Sequence, residues 1–377
     1  MQEGSVYLDH AATTPVSPEA RAAFLATLDA TFANPSSLHA PGVAASAVLE
    51  RTREVLKSVT GTPFRRVVLT SGGTEANNLA VLGLGRGGRK RRLVATVIEH
   101  ASVLSALEHA GEQGAEVGLA RVGSAGEVDP IALARAAHGA ALLAVHLVHN
   151  ELGTVVDVAA LAGELARSSP EPVLHVDAVQ ALGKLDLPAV LGGAWSVALS
   201  AHKIGAPKGC GALLLVGELS PRPLLFGGDQ QGGLRPGTEN VAGAAAFAAA
   251  ARQVVAERAA TTARLARLDG RLRDGLVDLG ERLWPLVPAG RAIPGFVALG
   301  LRGLPAEVML HRLEARGVFA SAGSACHARR KRSHVLDALG LLEDVGLIRA
   351  SMGRGTTEDD VDAFLAAARD ALREVRV

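Results

Sequence analysis

HVDAVQ, residues 175–180, and SAHK, residues 200–203, close two apolar runs, PVLHVDAVQ (172–180) and AWSVALSAHK (194–203). Val, Leu and Ala fill both runs without polar–apolar alternation, the pattern of strands covered on both faces. RRVVLTSGG (65–73), RLVATVIEH (92–100) and ALLAVHLVHN (141–150) share the design. Helical spacers such as TEANNLAVLGL (74–84) lie between the runs, so the connections are expected to cross over and the sheet to be mainly parallel. The unusual polar residues all follow the carboxyl ends of these runs: Ser71–Thr74, Glu99 and His100, Asn150 and Glu151, Asp177 and Gln180, then Ser200, His202 and Lys203. Ligands of open α/β sheets bind at that edge, and the convergence predicts a single pocket.

Each polar set suggests a chemistry. SGGT (71–74) joins a strand to a helix. Its glycines let backbone approach an anion, and a helix start offers unpaired N–H groups and the positive end of the dipole. An ordinary helix cap would look the same. GLGRGG (83–88) matches a dinucleotide loop in form only, because it follows a helical stretch and not a strand. GRGGRKRR (85–92) reads as a solvated loop. Asp177, just past an apolar strand, needs a positive partner or a set of hydrogen bonds. A protonated heteroaromatic nitrogen would serve, and helix capping is the plainer alternative. Lys203, drawn into a strand-end site beside Ser200 and His202, has reason to lose its proton, and neutral lysine forms Schiff bases. An Asp, a later Lys and an upstream glycine cradle for phosphate are the parts that hold pyridoxal phosphate.

Bulk properties set the boundaries. The chain has 377 residues, 48% hydrophobic but only 3% aromatic, so its core is built from Ala, Val and Leu. A net charge of +1 offers no global field for nucleic acid or an acidic membrane. The two cysteines, Cys210 and Cys326, are far apart in sequence and indicate a reducing compartment. Neither a secretory signal nor a membrane-spanning run is seen, so a cytoplasmic location is expected. Residues 241–272 form a long Ala-rich helix candidate leading out of the sheet domain, and the remainder, 262–377, has fewer strands and more helix. Cys210, in KGCGALLL, reads as packing.

Taken in order, YLDHAATTP (7–15), NPSSLHAPG (34–42), TSGGTEANN (70–78), EHASV (99–103), HNELG (149–153), HVDAVQ, SAHKIGAPKGCGAL (200–213), RPGTEN (235–240), SAGSAC (321–326), SHVLDALG (333–340) and IRASMGRGTTEDD (348–360) run through nearly the whole chain. In these motifs the chain resembles the cysteine desulfurases, the NifS/IscS-like members of the class V aminotransferase group. The resemblance implies an α/β, fold-type I pyridoxal-phosphate-dependent transferase. Its large domain, 16–261, would hold a mainly parallel seven-stranded sheet flanked by helices. Residues 1–15 and 262–377 would form a smaller α+β domain carrying the cysteine loop, about 320–334. It further implies Lys203 as the Schiff-base lysine, Asp177 as partner of the pyridinium nitrogen, and Gln180 as partner of the ring's phenolic oxygen. His100 would stack on the ring and shuttle protons. Gly73, Thr74, Ser200 and His202 would contact the phosphate, and Thr238 would reach it from a second subunit, making the homodimer part of the site. Asn150 would contact the cofactor and, with Arg349, hold the substrate carboxylate, a task that suits an Arg fork. No metal is implied.

Cys326 aligns with the family's nucleophile. Its thiolate would take sulfur from L-cysteine, leaving L-alanine and a persulfide that passes to a protein acceptor or an iron–sulfur scaffold. SAGSAC resembles the subgroup with a mobile cysteine loop, and small residues at 321–325 fit mobility. His327 and the basic run Arg329–Arg332 could lower the thiol's pKa or meet an acceptor. Several features depart from the family pattern: HARRKR comes after the cysteine, HNELG stands where two asparagines are common, and the chain ends soon after its last helix. The alternative reading keeps the cofactor but changes the reaction, to an aminotransferase or a selenocysteine or cysteine-sulfinate lyase. Direct nucleic-acid binding through segments 86–92 and 329–332 is not expected at this net charge.

Overall fold

The structure is a computed structural model and describes residues 4–61, 64–85, 91–168, 170–217, 219–323 and 333–373. Its strands are β1 Val6–Tyr7, β2 Phe64–Thr70, β3 Arg92–Thr96, β4 Glu116–Ala120, β5 Leu142–His146, β6 Val173–Asp177, β7 Ser196–Ser200, β8 Gly211–Val216, β9 Leu283–Pro285, β10 Phe296–Leu301, β11 Val318–Phe319 and β12 Gly346–Ser351. Its α-helices are α1 Pro18–Ala30, α2 Ala40–Thr60, α3 Gly73–Leu84, α4 Ala101–Glu112, α5 Pro130–Ala136, α6 Val158–Leu165, α7 Leu187–Val190, α8 Val241–Gly275, α9 Ala306–Glu314, α10 His334–Ala338 and α11 Glu358–Arg373.

Strands β2 to β8 form a seven-stranded sheet in the order β2-β8-β7-β6-β5-β3-β4. Pairings from β4 through β7 are parallel, and β8 is antiparallel to both β7 and β2. The mainly parallel seven-stranded sheet expected from the sequence is therefore present. The antiparallel strand results from its connection: residues 201–210 turn the chain straight back without a crossover helix. The edge strand β4, EVGLA, was not anticipated, because its short, half-exposed pattern carries little strand signal.

Alternate residues of one strand feed two cores, as strands covered on both faces require. Val94, Leu143 and Val145 join a cluster with Phe247, Ala246 and Ala250 of α8. Leu93, Ala95, Leu142 and Ala144 pack on the other face against Val103 and Leu107 of α4. A second unit is built on the antiparallel sheet β12-β10-β9. Its core joins Leu299 and Ile348 to Met309, Phe364 and Leu372, and Val6 of β1. Helix α8 belongs to both: Phe247 and Ala250 enter the first core, Leu265, Leu268 and Leu272 the second. At a rise of about 1.5 Å per residue it is about 50 Å long, enough to span both.

The amino-terminal arm ties the units at the site. Ser351 donates its N–H to Leu8 O at 2.7 Å, then residues 9–15 cross to the carboxyl edge of the large sheet, where Thr14 Oγ1 donates to His202 O at 2.8 Å. Cys210, read as packing, is 6% exposed within the first core, and burial pushes its thiol pKa up to about 11. Phe247 is fully buried in an Ala-rich environment that has little bulk with which to fill a void. Phe247→Ala is therefore expected to lower stability by about 3–5 kcal/mol, read as a lower urea midpoint at unchanged slope.

Candidate active site

A cavity opens at the carboxyl edge of the sheet and is walled by residues from five strand ends. Gly73 and Thr74 start α3, His100 caps α4, Asn150 follows β5, Asp177 ends β6 with Gln180 just after it, and Ser200 ends β7 with His202 and Lys203 just after it. Arg349 of β12 closes it from the second unit, and Ala11 and Ala12 of the arm close it from a third side. Thr238 is exposed and is not on this wall. Its RPGTEN loop is nevertheless tied to α3, since Arg235 Nε donates to Glu75 Oε1 at 2.8 Å. Cys326 and Arg329–Arg332 lie outside the described residues.

The glycine turn before α3 is cramped by design. A Cβ on Gly73 would stand 2.5 Å from Val179 Cγ2, and one on Gly211 would stand 2.5 Å from the Gly72 backbone. Only glycine lets the helix start come this close to the β6 and β8 ends. The N-cap residue, Gly72, provides no side-chain hydrogen bond, so the first amides of α3 are left to the cavity. Ser200 Oγ is buried with no hydrogen-bond partner among the described residues. His202 Nδ1 bonds Thr13 Oγ1 at 3.1 Å. Burial, helped by the Lys203 and Lys208 ammoniums, holds its pKa down to about 4. These groups form a neutral, donor-rich anion cradle.

Opposite the cradle, Lys203 Nζ donates to Ala11 O at 2.6 Å and Ala12 O at 2.8 Å. Asp177, 7% exposed, accepts from Val179 N at 3.0 Å and from Asn77 Nδ2 at 2.7 Å. Gln180 Nε2 donates to Ala11 O at 2.8 Å while its Oε1 accepts from Lys184 Nζ at 3.1 Å. A carbonyl can only accept, so Ala11 O fixes the amide's orientation and turns the NH2 toward the arm, leaving Oε1 to Lys184. Arg349, 2% exposed, donates through Nη2 to Asp9 Oδ1 at 2.6 Å and through Nη1 to Asn150 O at 2.7 Å. Its Nε is buried without a hydrogen-bond partner among the described residues.

Some wall residues were not singled out from the sequence. Asn77 and Ser102 lie behind His100 and Asp177, and both line the cavity. Asn77 could have been found, since it follows Thr74 by three residues on one helix face. His146 also lines the cavity, 4% exposed, with Nδ1 on Glu99 Oε1 at 2.8 Å. It reaches the site because it pairs in register with Asp177 across β5 and β6, a relation that no local pattern encodes. His149 explains the departure at HNELG: its Nδ1 accepts from Glu151 N at 3.2 Å and Leu152 N at 3.0 Å, the bonds an Asx turn would make. Glu151 itself is buried and accepts from Ser333 Oγ at 2.7 Å, while an ideal Cβ on Gly323 would stand 3.0 Å from its Oε2. Both described ends of the segment carrying Cys326 thus meet at one carboxylate.

The residues present fit pyridoxal phosphate: an uncapped helix start and an orphaned buried hydroxyl for its phosphate, a lysine amine, and a buried carboxylate. The comparisons agree. The family model described as Aminotransferase class-V matches residues 6–364. An IscS-like cysteine desulfurase of Mycobacterium tuberculosis is 36% identical over 383 residues, covering 98% of this chain and 97% of the relative. A solved NifS-like protein superposes with a TM-score of 0.91 at 28% identity, covering 98% of this chain and 100% of that one. A structure described as SspA in complex with cysteine superposes with a TM-score of 0.80 at 27% identity, covering 92% and 99% of the two chains.

Lys184 gives the site a measurable pH signature. Burial, then the charges of Lys203 and Arg349, lower its pKa from 10.5 to about 7. Between those values the unfolded chain binds the proton that the folded chain has lost, so this group's contribution makes stability rise with pH across that window and stay flat below it. Lys184→Met is expected to raise the thermal midpoint at pH 6 by roughly 2–4 °C, with the gap closing toward pH 10. Equal gaps at both pH values would show that Lys184 is not held near neutrality.

Proposed function

Because the chain belongs to the class-V aminotransferase family and is a pyridoxal-phosphate-dependent cysteine desulfurase, we propose which of its residues carry the reaction and where the sulfur goes. The observation that supports the assignment is the shared cavity of Lys203, Asp177, the α3 start and Arg349. In this reading the first amides of α3 at Gly73 and Thr74, with Ser200 and His202, hold the phosphate of the cofactor. Asp177 faces the ring nitrogen, Gln180 presents its NH2 to the phenolic oxygen, and Lys203 is the amine that holds the aldehyde carbon. When bound, the cofactor supplies an electron sink for bonds broken at the substrate's α-carbon.

The protein's own groups do the rest. Arg349 and Asn150 hold the L-cysteine carboxylate; Arg349 Nε is the donor that has no acceptor among the described residues, and charge-assisted Arg–carboxylate bonds are among the strongest a site can offer. Lys203 and His100 move protons at the α-carbon. Cys326 Sγ, as thiolate, attacks the substrate sulfur: an S–S bond forms as the substrate C–S bond breaks, the β-carbon keeps that bond's electron pair and takes a proton delivered through Lys203 or His100, and L-alanine leaves. What supports Cys326 is its tether. Gly323, three residues earlier, packs on Glu151 beside Asn150, and an extended chain covers roughly 10 Å in three residues. The persulfide then passes to a protein acceptor, for iron–sulfur cluster assembly or thio-modification, with the basic run Arg329–Arg332 as a contact surface. A homodimer in which Thr238 reaches the other subunit's cradle completes the reading. What supports it is the tie of the RPGTEN loop to the cradle helix through Arg235 and Glu75 while Thr238 itself faces outward, exposed.

Cys326→Ser is expected to keep the cofactor's yellow colour and its spectral response to L-cysteine, while sulfide release with a thiol reductant falls to background and no protein persulfide forms. Lys203→Ala is expected to lose the lysine-bound spectrum. Full sulfide release by Cys326→Ser would instead favour another class V reaction.

A further inference from the structure

We propose that Asn77 is a positioning residue that couples Asp177 to His100 and, through Ser102, fixes the ring tautomer of His100 with its proton on Nε2. This deepens the proposed role of His100 as the proton carrier and rests on that reading.

The chain of donors and acceptors allows one assignment. Asn77, 1% exposed on α3, places Nδ2 at 2.7 Å from Asp177 Oδ2 and 2.8 Å from Ser102 Oγ. An ionised carboxylate only accepts, so the nitrogen of the amide must face Asp177. The amide oxygen then faces His175 Nε2 at 3.0 Å, which must carry the proton. His175 Nδ1 is left to accept from Ser196 Oγ at 2.9 Å. The two hydrogens of the Asn77 amide are spent on Asp177 and Ser102.

Ser102 passes the direction on. Its Oγ already accepts from Asn77, and Oγ lies 2.8 Å from His100 Nδ1. The Ser102 backbone N–H also points at that nitrogen, at 3.1 Å. A nitrogen approached by a backbone N–H and a hydroxyl acts as the acceptor, and the bond made by one ring nitrogen sets the state of the other. His100 therefore keeps its proton on Nε2. The wire runs one way, from Ser196 through His175 and Asn77 to Ser102 and His100, with a branch to Asp177. Every member is buried except His100, which is partly buried at the cavity wall. A buried network with each partner matched is rigid, and a missing member leaves the rest unpaired.

The test is nitrogen-15 NMR of the histidine rings in the full chain, without and with cofactor, with the His100 signal assigned from a His100→Gln control. Steady-state desulfuration of L-cysteine is measured alongside. The wild type should show His100 in the Nε2–H form even without cofactor. Ser102→Ala and Asn77→Ala leave the Ser102 backbone N–H as the remaining donor on Nδ1, so each should admit a measurable minor fraction of the Nδ1–H form and lower kcat by about ten- to a hundredfold, with KM changed by less than about threefold. Ser102→Thr, which keeps the hydroxyl, should restore both. Ser102→Ala keeps the test decisive if Asn77→Ala does not fold. An unchanged tautomer in the folded variants, or a changed tautomer with unchanged kcat, would overturn the proposal. Full activity in His100→Gln would instead sink the underlying role of His100, so the two failures are distinguishable.

Discussion

A buried carboxylate at the end of a central strand has to be compensated, and the compensation of Asp177 organises this pocket. Its hydrogen bonds come from a backbone amide and from the Asn77 side chain, partners that stabilise a charge less than a cation does. The site is thus arranged to gain from a positively charged nitrogen placed against Asp177. The same demand reaches outward. Asn77 must turn its nitrogen inward, so its oxygen must be met by His175, and His175 in turn by Ser196. Burial pushes the His175 pKa to about 4 in spite of the nearby Asp177 charge, which keeps the imidazole neutral and able to serve as a one-way link.

The second constraint is the junction of the two units. Arg349 belongs to the small sheet, yet its guanidinium is anchored on Asp9 of the arm and on the Asn150 carbonyl of the large unit. The arm also supplies the carbonyls that hold Lys203 and Gln180. A carboxylate arriving at Arg349 therefore meets a cation whose position depends on three segments far apart in sequence. Arg349 is buried although Asp9 is partly open to solvent, and a buried charge left without its partner is costly, so Asp9 holds the arm in place as well as the charge.

Much of this was legible in the sequence because strand-end chemistry is local. A polar residue directly after an apolar run lies at the sheet edge whatever the other strands do, and Asp177, Lys203, His100 and Asn150 came from that rule. Arg349 and the paired roles came from resemblance, because a residue of another unit enters the pocket only through tertiary packing. His146 was not legible, since its place depends on the β5–β6 register. Ser102 was hidden as an apparently ordinary first-turn residue of α4, where a side-chain bond to the cap looks like helix chemistry alone. The edge strand β4 was missed because an exposed, five-residue pattern is close to noise.

Two amides in this pocket have their orientation set by an obligate acceptor, a carboxylate for Asn77 and a backbone carbonyl for Gln180. Asn77 meets an anion and must give it hydrogens; Gln180 meets the Ala11 carbonyl with its nitrogen and so turns its oxygen to Lys184. Asn77 therefore spends both donors inside the protein, whereas Gln180 keeps its NH2 turned toward the arm and the cavity. An amide that could flip would offer a ring oxygen a donor half the time and a repelling carbonyl the other half. The Ala11 carbonyl removes that freedom, and Lys184, whose pKa burial lowers to about 7, meets the oxygen left over. The strained titration of one residue behind the wall is the counterpart of a fixed donor on the wall itself.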